Sequence, residues 1–121
     1  MAFTFTHMNF NVLDLARSME FYEQTFGFRE KRRMETPDFT LVYLWDGVTD
    51  FELELTFLHG RREPYDLGEK EFHLALHTDD YAGARAKHAA MGVICYENAE
   101  MGLYFVEDPD GYWIEVLPKN M

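Results

Sequence analysis

Apolar and polar side chains alternate through residues 3–12 and again through residues 72–78, the two-residue rhythm of a half-buried strand. Each alternating run leads to an aspartate suited to cap a helix, Asp14 and Asp80. The spacing then switches. Leu15, Met19, Tyr22 and Phe26 follow steps of four, three and four, and Tyr81, Ala84, His88 and Met91 follow steps of three, four and three. Those steps put one apolar face on each of two helices. Gly27 and Gly92 come next, where a left-handed residue ends a helix. Strand-like runs resume at residues 39–45 and 51–57, joined by Asp46-Gly47, and at 103–106 and 112–117, joined by Asp108-Pro109-Asp110-Gly111. Asp-Gly between apolar runs signals a hairpin.

The chain therefore predicts the same βαβββ order twice, an α+β fold of two modules. The strand after each helix has the weakest pattern. Module one is placed at about residues 3–58 and module two at about 71–118, within a single domain of 1–121. Residues 59–70 hold Gly60, Pro64 and Gly68 with much local charge, and read as an exposed connector. One four-stranded sheet with one helix leaves a sheet face bare, so such modules must pack in pairs, within a chain or across a dimer.

Composition narrows the function classes. A hydrophobic share of 47% and an aromatic share of 17% belong to a folded chain, and 121 residues fit one unit. The net charge of −11 argues against nucleic acid and anionic membrane surfaces as partners. Cys95 is the sole cysteine, so no intrachain disulfide forms. The N-terminal residues lack the basic start and apolar run of a signal peptide, and no stretch reaches the ~20 apolar residues of a membrane span. The expected location is the cytoplasm.

Against this background four polar residues stand out. His7 and Glu54 lie in strand-like segments of module one, and His73 and Glu115 in matching segments of module two. Two imidazoles and two carboxylates brought together make a mixed nitrogen and oxygen site for a divalent metal. A lone strand histidine is more often a hydrogen-bonded core residue, and a strand glutamate more often faces water. Repetition of both pairs favours the metal site. Alternation assigns Asn9 and Asn11 to the His7 face, Glu52 and Thr56 to the Glu54 face, Ala75 and His77 to the His73 face, and Trp113 and Leu117 to the Glu115 face. His77 is read either as a neighbour of the site or as a satisfied polar core residue. His88 is expected in helix packing, His59 in solvent, and Cys95 packed as a small hydrophobe. Arg29, Lys31, Arg32 and Arg33 form a basic island, read as a solvated strand edge ahead of an anion site; Arg61-Arg62 is a smaller one.

Four segments in order resemble glyoxalase I, within the vicinal oxygen chelate superfamily. They are His7 followed by Leu13-Asp14-Leu15-Ala16-Arg17-Ser18 and Phe21-Tyr22; Glu54-Leu55-Thr56-Phe57; Phe72-His73-Leu74-Ala75-Leu76; and Phe105-Val106-Glu107-Asp108-Pro109-Asp110-Gly111-Tyr112-Trp113-Ile114-Glu115. The resemblance covers nearly the whole chain. It implies paired βαβββ modules forming a curved mixed sheet around a metal. It also implies a homodimer whose sites draw module one from one chain and module two from the other. His7, Glu54, His73 and Glu115 would be the ligands. The implied reaction turns the hemithioacetal of a 2-oxoaldehyde, such as methylglyoxal, and a thiol into a 2-hydroxyacyl thioester through an enediolate. Glu115 would be the base and Glu54 the opposing carboxylate. The compact chain resembles the nickel- or cobalt-activated type more than the zinc type.

Two positions depart from the glutathione-using pattern. Asn11 stands where those members carry an arginine, and Leu58 where they carry an asparagine. Neither makes the charged contact that arginine makes. The stretch at residues 96–102 is also short for a loop over a thiol's tail. The thiol is therefore open, glutathione or another. Competing functions on this fold are an epimerase, a ring-cleaving dioxygenase, an antibiotic thiol transferase, or a non-enzymatic binding module. The fourth ligand, Glu54, disfavours the dioxygenase and the transferase, and a full ligand set disfavours the binding module.

Overall fold

The computed structural model describes all 121 residues and divides into two compact units, Met1–Tyr65 and Asp66–Met121. The first runs β1 (His7–Asn11), α1 (Leu15–Phe26), β2 (Arg29–Glu35), β3 (Phe39–Trp45) and β4 (Glu52–Leu58). The second runs β5 (Leu74–Thr78), α2 (Tyr81–Met91), β6 (Ile94–Asn98), β7 (Leu103–Glu107) and β8 (Trp113–Pro118). Each unit is thus βαβββ, with one mixed four-stranded sheet, ordered β1-β4-β3-β2 and β5-β8-β7-β6. The first and last strands of each unit pair parallel, and the other pairs are antiparallel.

The helices begin and end where the sequence places them. Asp14 accepts from the backbone N–H of Arg17 at 3.1 Å, and Asp80 from that of Gly83 at 3.0 Å. Each satisfies an amide that the first helical turn leaves without a partner. Gly27 and Gly92 end the helices at φ 77° and 72°, a region that costs a residue with a Cβ. In α1 the buried face is centred on Ser18, Tyr22 and Thr25, while Leu15, Met19 and Phe26 flank it half-buried. In α2 His88 is buried as expected, but Met91 is exposed.

Strand pleating sorts each sheet into two faces. Phe10, Val42, Leu44, Leu53 and Leu55 are buried on one face of the first sheet. Tyr104, Val106, Ile114 and Val116 do the same in the second, where the Tyr104 hydroxyl bonds His88 Nδ1 at 2.8 Å. The opposite faces carry the candidate chemistry. The opening strands are shorter than residues 3–12 and 72–78, because β1 and β5 extend only where β4 and β8 lie alongside. Phe3 and Phe5 are exposed. The weakly patterned strands exist as β2 and β6, and β2 is exposed along its whole length, a solvated edge as the basic island suggests.

Candidate metal centre

Register brings each histidine to its glutamate. Asn9 of β1 sits opposite Glu54, and Ala75 of β5 opposite Glu115. His7 and His73 each stand two residues before that partner, on the same face. His7 Nε2 is 3.6 Å from Glu54 Oε1, and His73 Nε2 is 3.4 Å from Glu115 Oε1. Both histidines are about one-third exposed, while the glutamates are mostly covered. Two donors each about 2.1 Å from one ion at cis or tetrahedral angles stand about 3.0–3.4 Å apart, close to both spacings. His73 Nδ1 donates to the Glu71 carbonyl at 3.0 Å, which leaves Nε2 as the lone-pair nitrogen facing Glu115. Each unit by itself gathers two such donors and never three.

The surroundings of the two pairs differ. In the first unit the Tyr43 hydroxyl donates to Glu54 Oε2, and the His7 ring meets the Tyr43 ring edge-on at 5.8 Å. Accepting that bond, the Glu54 carboxylate pushes the Tyr43 phenol above its ordinary pKa. Arg32 lies 3.6 Å over the Tyr43 ring and makes a two-point contact with Glu52, Nη2 to Oε1 at 2.8 Å and Nε to Oε2 at 3.3 Å. Those bonds hold the Glu52 carboxyl below its usual range. The row continues through Asn9, which accepts from Thr56 Oγ1 and donates to Asn11 at 2.8 Å. In the second unit Phe105 meets the His73 ring edge-on at 5.0 Å, and Tyr96 stacks on Trp113 at 6.2 Å.

Other sequence-predicted residues fall as follows. His77 is exposed rather than in the core, and bonds the Met121 carbonyl at 3.0 Å. His59 is not solvated. It is half-buried between Thr40 Oγ1 at 2.8 Å and the Pro37 carbonyl at 3.0 Å, because the end of β4 carries it beside the start of β3. Cys95 is exposed rather than packed, since β6 bulges there and turns it outward. Partial burial of its sulfur raises the thiol pKa, the wrong direction for a nucleophile. Arg61 is spent on the carbonyls of Glu63 and Pro64 and on the Tyr65 ring. Arg33 is spent on Glu30 and Glu35. Tyr43 and Arg32 are not legible as site residues, because their places beside Glu54 and Glu52 depend on strand register that the sequence does not show.

Residues 4–116 match the family model of the Glyoxalase/Bleomycin resistance protein/Dioxygenase superfamily. The chain belongs to that superfamily. It is 37% identical to the lactoylglutathione lyase of Haemophilus influenzae, over 94% of this chain and 91% of that one. It is 33% identical to the lactoylglutathione lyase of Neisseria meningitidis serogroup A, over 94% and 89%. Among solved structures it resembles the trypanothione-dependent glyoxalase I of Leishmania major, with TM-score 0.86 and 32% identity over 98% and 88% of the two chains. The chain is an enzyme of the glyoxalase I type, a lyase, and that type implies a divalent metal ion. No helix is long and apolar enough to cross a membrane.

Proposed function

We propose that His7, Glu54, His73 and Glu115 together hold one divalent ion, nickel or cobalt in preference to zinc, in a homodimer of a cytoplasmic enzyme. Each site takes the first pair from one chain and the second pair from the other. The observation that carries this reading is the matched spacing of the two His–Glu pairs, each with two donors at metal-ligand separation. Two nitrogens and two carboxylates would hold a divalent ion, which would supply positive charge to a substrate's neighbouring oxygens. A two-donor half is too small to retain such an ion alone, which favours the joining of halves.

The substrate in this reading is the adduct of a 2-oxoaldehyde, methylglyoxal being the smallest common one, with a thiol. The ion, when bound, supplies positive charge to those oxygens as the carbon-bound proton leaves. Glu115 takes the proton from the carbon that bears the sulfur and returns it to the adjacent carbon. The hydroxyl proton passes between the two oxygens, so the product is an isomer, a 2-hydroxyacyl thioester. Glu54 would serve as a ligand of the ion throughout. Asn11 and Leu58 do not provide the charged clamp expected for a glutathione carboxylate, and Asn11 bonds its neighbour Asn9. The related Leishmania major enzyme is itself trypanothione-dependent, so a thiol other than glutathione is compatible with this fold.

The test is to strip the protein of metal, add nickel, cobalt or zinc in turn, and assay methylglyoxal with glutathione and with other thiols. Thioester formation that needs added metal supports the reading. Thioester formation equal with and without metal, or none with any thiol, removes it.

A further inference from the structure

Strand register equates five positions of the two units. His7 matches His73 and Glu54 matches Glu115, as the parallel pairs show. Tyr43 lies opposite Glu54 and Phe105 opposite Glu115. Arg32 lies opposite Tyr43 and Tyr96 opposite Phe105, each just past a bulge. Glu52 and Trp113 each precede the glutamate by two. The frame is the same, yet the first unit fills it with a linked polar set and the second with aromatic rings.

The consequence falls on the two glutamates. Glu54 presents Oε1 to His7 while Oε2 accepts from the Tyr43 hydroxyl. Tyr43 is in turn held from above by Arg32, which Glu52 anchors. A carboxylate fixed at one oxygen by a phenol keeps its orientation and offers its other oxygen in one direction, as a standing ligand should. Glu115 has one polar side-chain neighbour, His73. The ring facing it is Phe105, which has no hydroxyl to occupy a carboxylate lone pair. A carboxylate that must receive a proton and hand it on needs that lone pair accessible.

We propose that Tyr43 is a positioning residue that commits Glu54 to metal ligation, and that phenylalanine in the equivalent place, Phe105, leaves Glu115 able to carry the proton. This rests on the proposed metal site. It goes beyond it in deriving the different roles of two chemically identical ligands from one hydroxyl present in the first unit and lacking in the second.

The experiment compares wild type with Tyr43→Phe and Phe105→Tyr, each checked for unaltered thermal unfolding. Cobalt(II) binding to the metal-free proteins is measured by calorimetry and by the cobalt absorption spectrum, and kcat and KM are measured at saturating cobalt. Tyr43→Phe should weaken cobalt affinity about 10–100-fold, the usual effect of removing a group that orients a ligand. Phe105→Tyr should place a hydroxyl on Glu115 and lower kcat at least ~10-fold by tying up the base, without weakening cobalt affinity. Unchanged cobalt affinity in Tyr43→Phe, or unchanged kcat in Phe105→Tyr, overturns the inference while wild-type binding preserves the metal site. No cobalt binding by wild type removes both.

Discussion

His73, just before β5, and Glu115 of β8 face each other with 3.4 Å between nitrogen and oxygen, and the far nitrogen of the ring is fixed on the Glu71 carbonyl. The imidazole is thereby oriented, while the carboxylate meets no other side-chain donor. Replacing Glu115 by Gln keeps its shape and removes its basicity. Turnover at saturating metal should fall by at least ~10²-fold, the scale of losing a general base. Steady-state kinetics over a metal titration checks this; near-normal kcat would place the base elsewhere.

The proposed pairing of halves between chains is tested by complementation. His7→Ala and Glu115→Gln chains, each inactive, should regain activity when unfolded and refolded together. In a mixed dimer one site collects both lesions and the other neither. Random exchange puts about half the chains in mixed dimers, each with one working site of two, so recovery should approach about a quarter of wild type. No recovery, with mixed dimers demonstrated by mass spectrometry, would favour pairing within a chain.

How much of this the sequence shows depends on how local each signal is. Asp14, Gly27, Asp80 and Gly92 cap helices through contacts a few residues away, so spacing alone locates them. The His–Glu pairs were legible because repetition marks them twice. Strand β2 was hard to read because Arg29–Glu35 is charged and exposed almost throughout, with no buried face to set an alternation. The lengths of β1 and β5 depend on β4 and β8, which lie more than thirty residues further along. The same dependence hid Tyr43: its place over Glu54 is a fact of β3–β4 register. His59 misled for a related reason, since its partners Thr40 and Pro37 arrive through that same pairing.

The cap at Asp80 allows a stability test away from the proposed ligands. Its carboxylate holds the Gly83 amide at 3.0 Å, and a Cβ on Gly83 would fall 2.2 Å from Asp80 Oδ2. Asp80→Ala should cost about 1 kcal/mol. Gly83→Ala should also destabilise, although alanine ordinarily favours a helix interior, because the cap must move. Urea unfolding of both variants measures this; a gain in stability for Gly83→Ala would show that the cap contributes little.

Alkaline pH should loosen the second unit. Burial pushes the Tyr104 phenol up to about 12, whereas an exposed tyrosine ionises near about 10. The folded value is raised, so the stability contributed is full below about pH 10 and is lost as pH rises through about 12. Unfolding free energy should decline across that window, and less steeply in Tyr104→Phe, which also loses the bond to His88. An equal decline in both proteins would assign it to other groups.

Metal dependence at the four ligands is the central claim, and reconstitution tests it most directly. Protein stripped by exhaustive chelation should be inactive. Activity should return in proportion to added nickel or cobalt and level off near about one ion per chain. Full activity in the stripped protein, with metal content confirmed as negligible, would contradict the account.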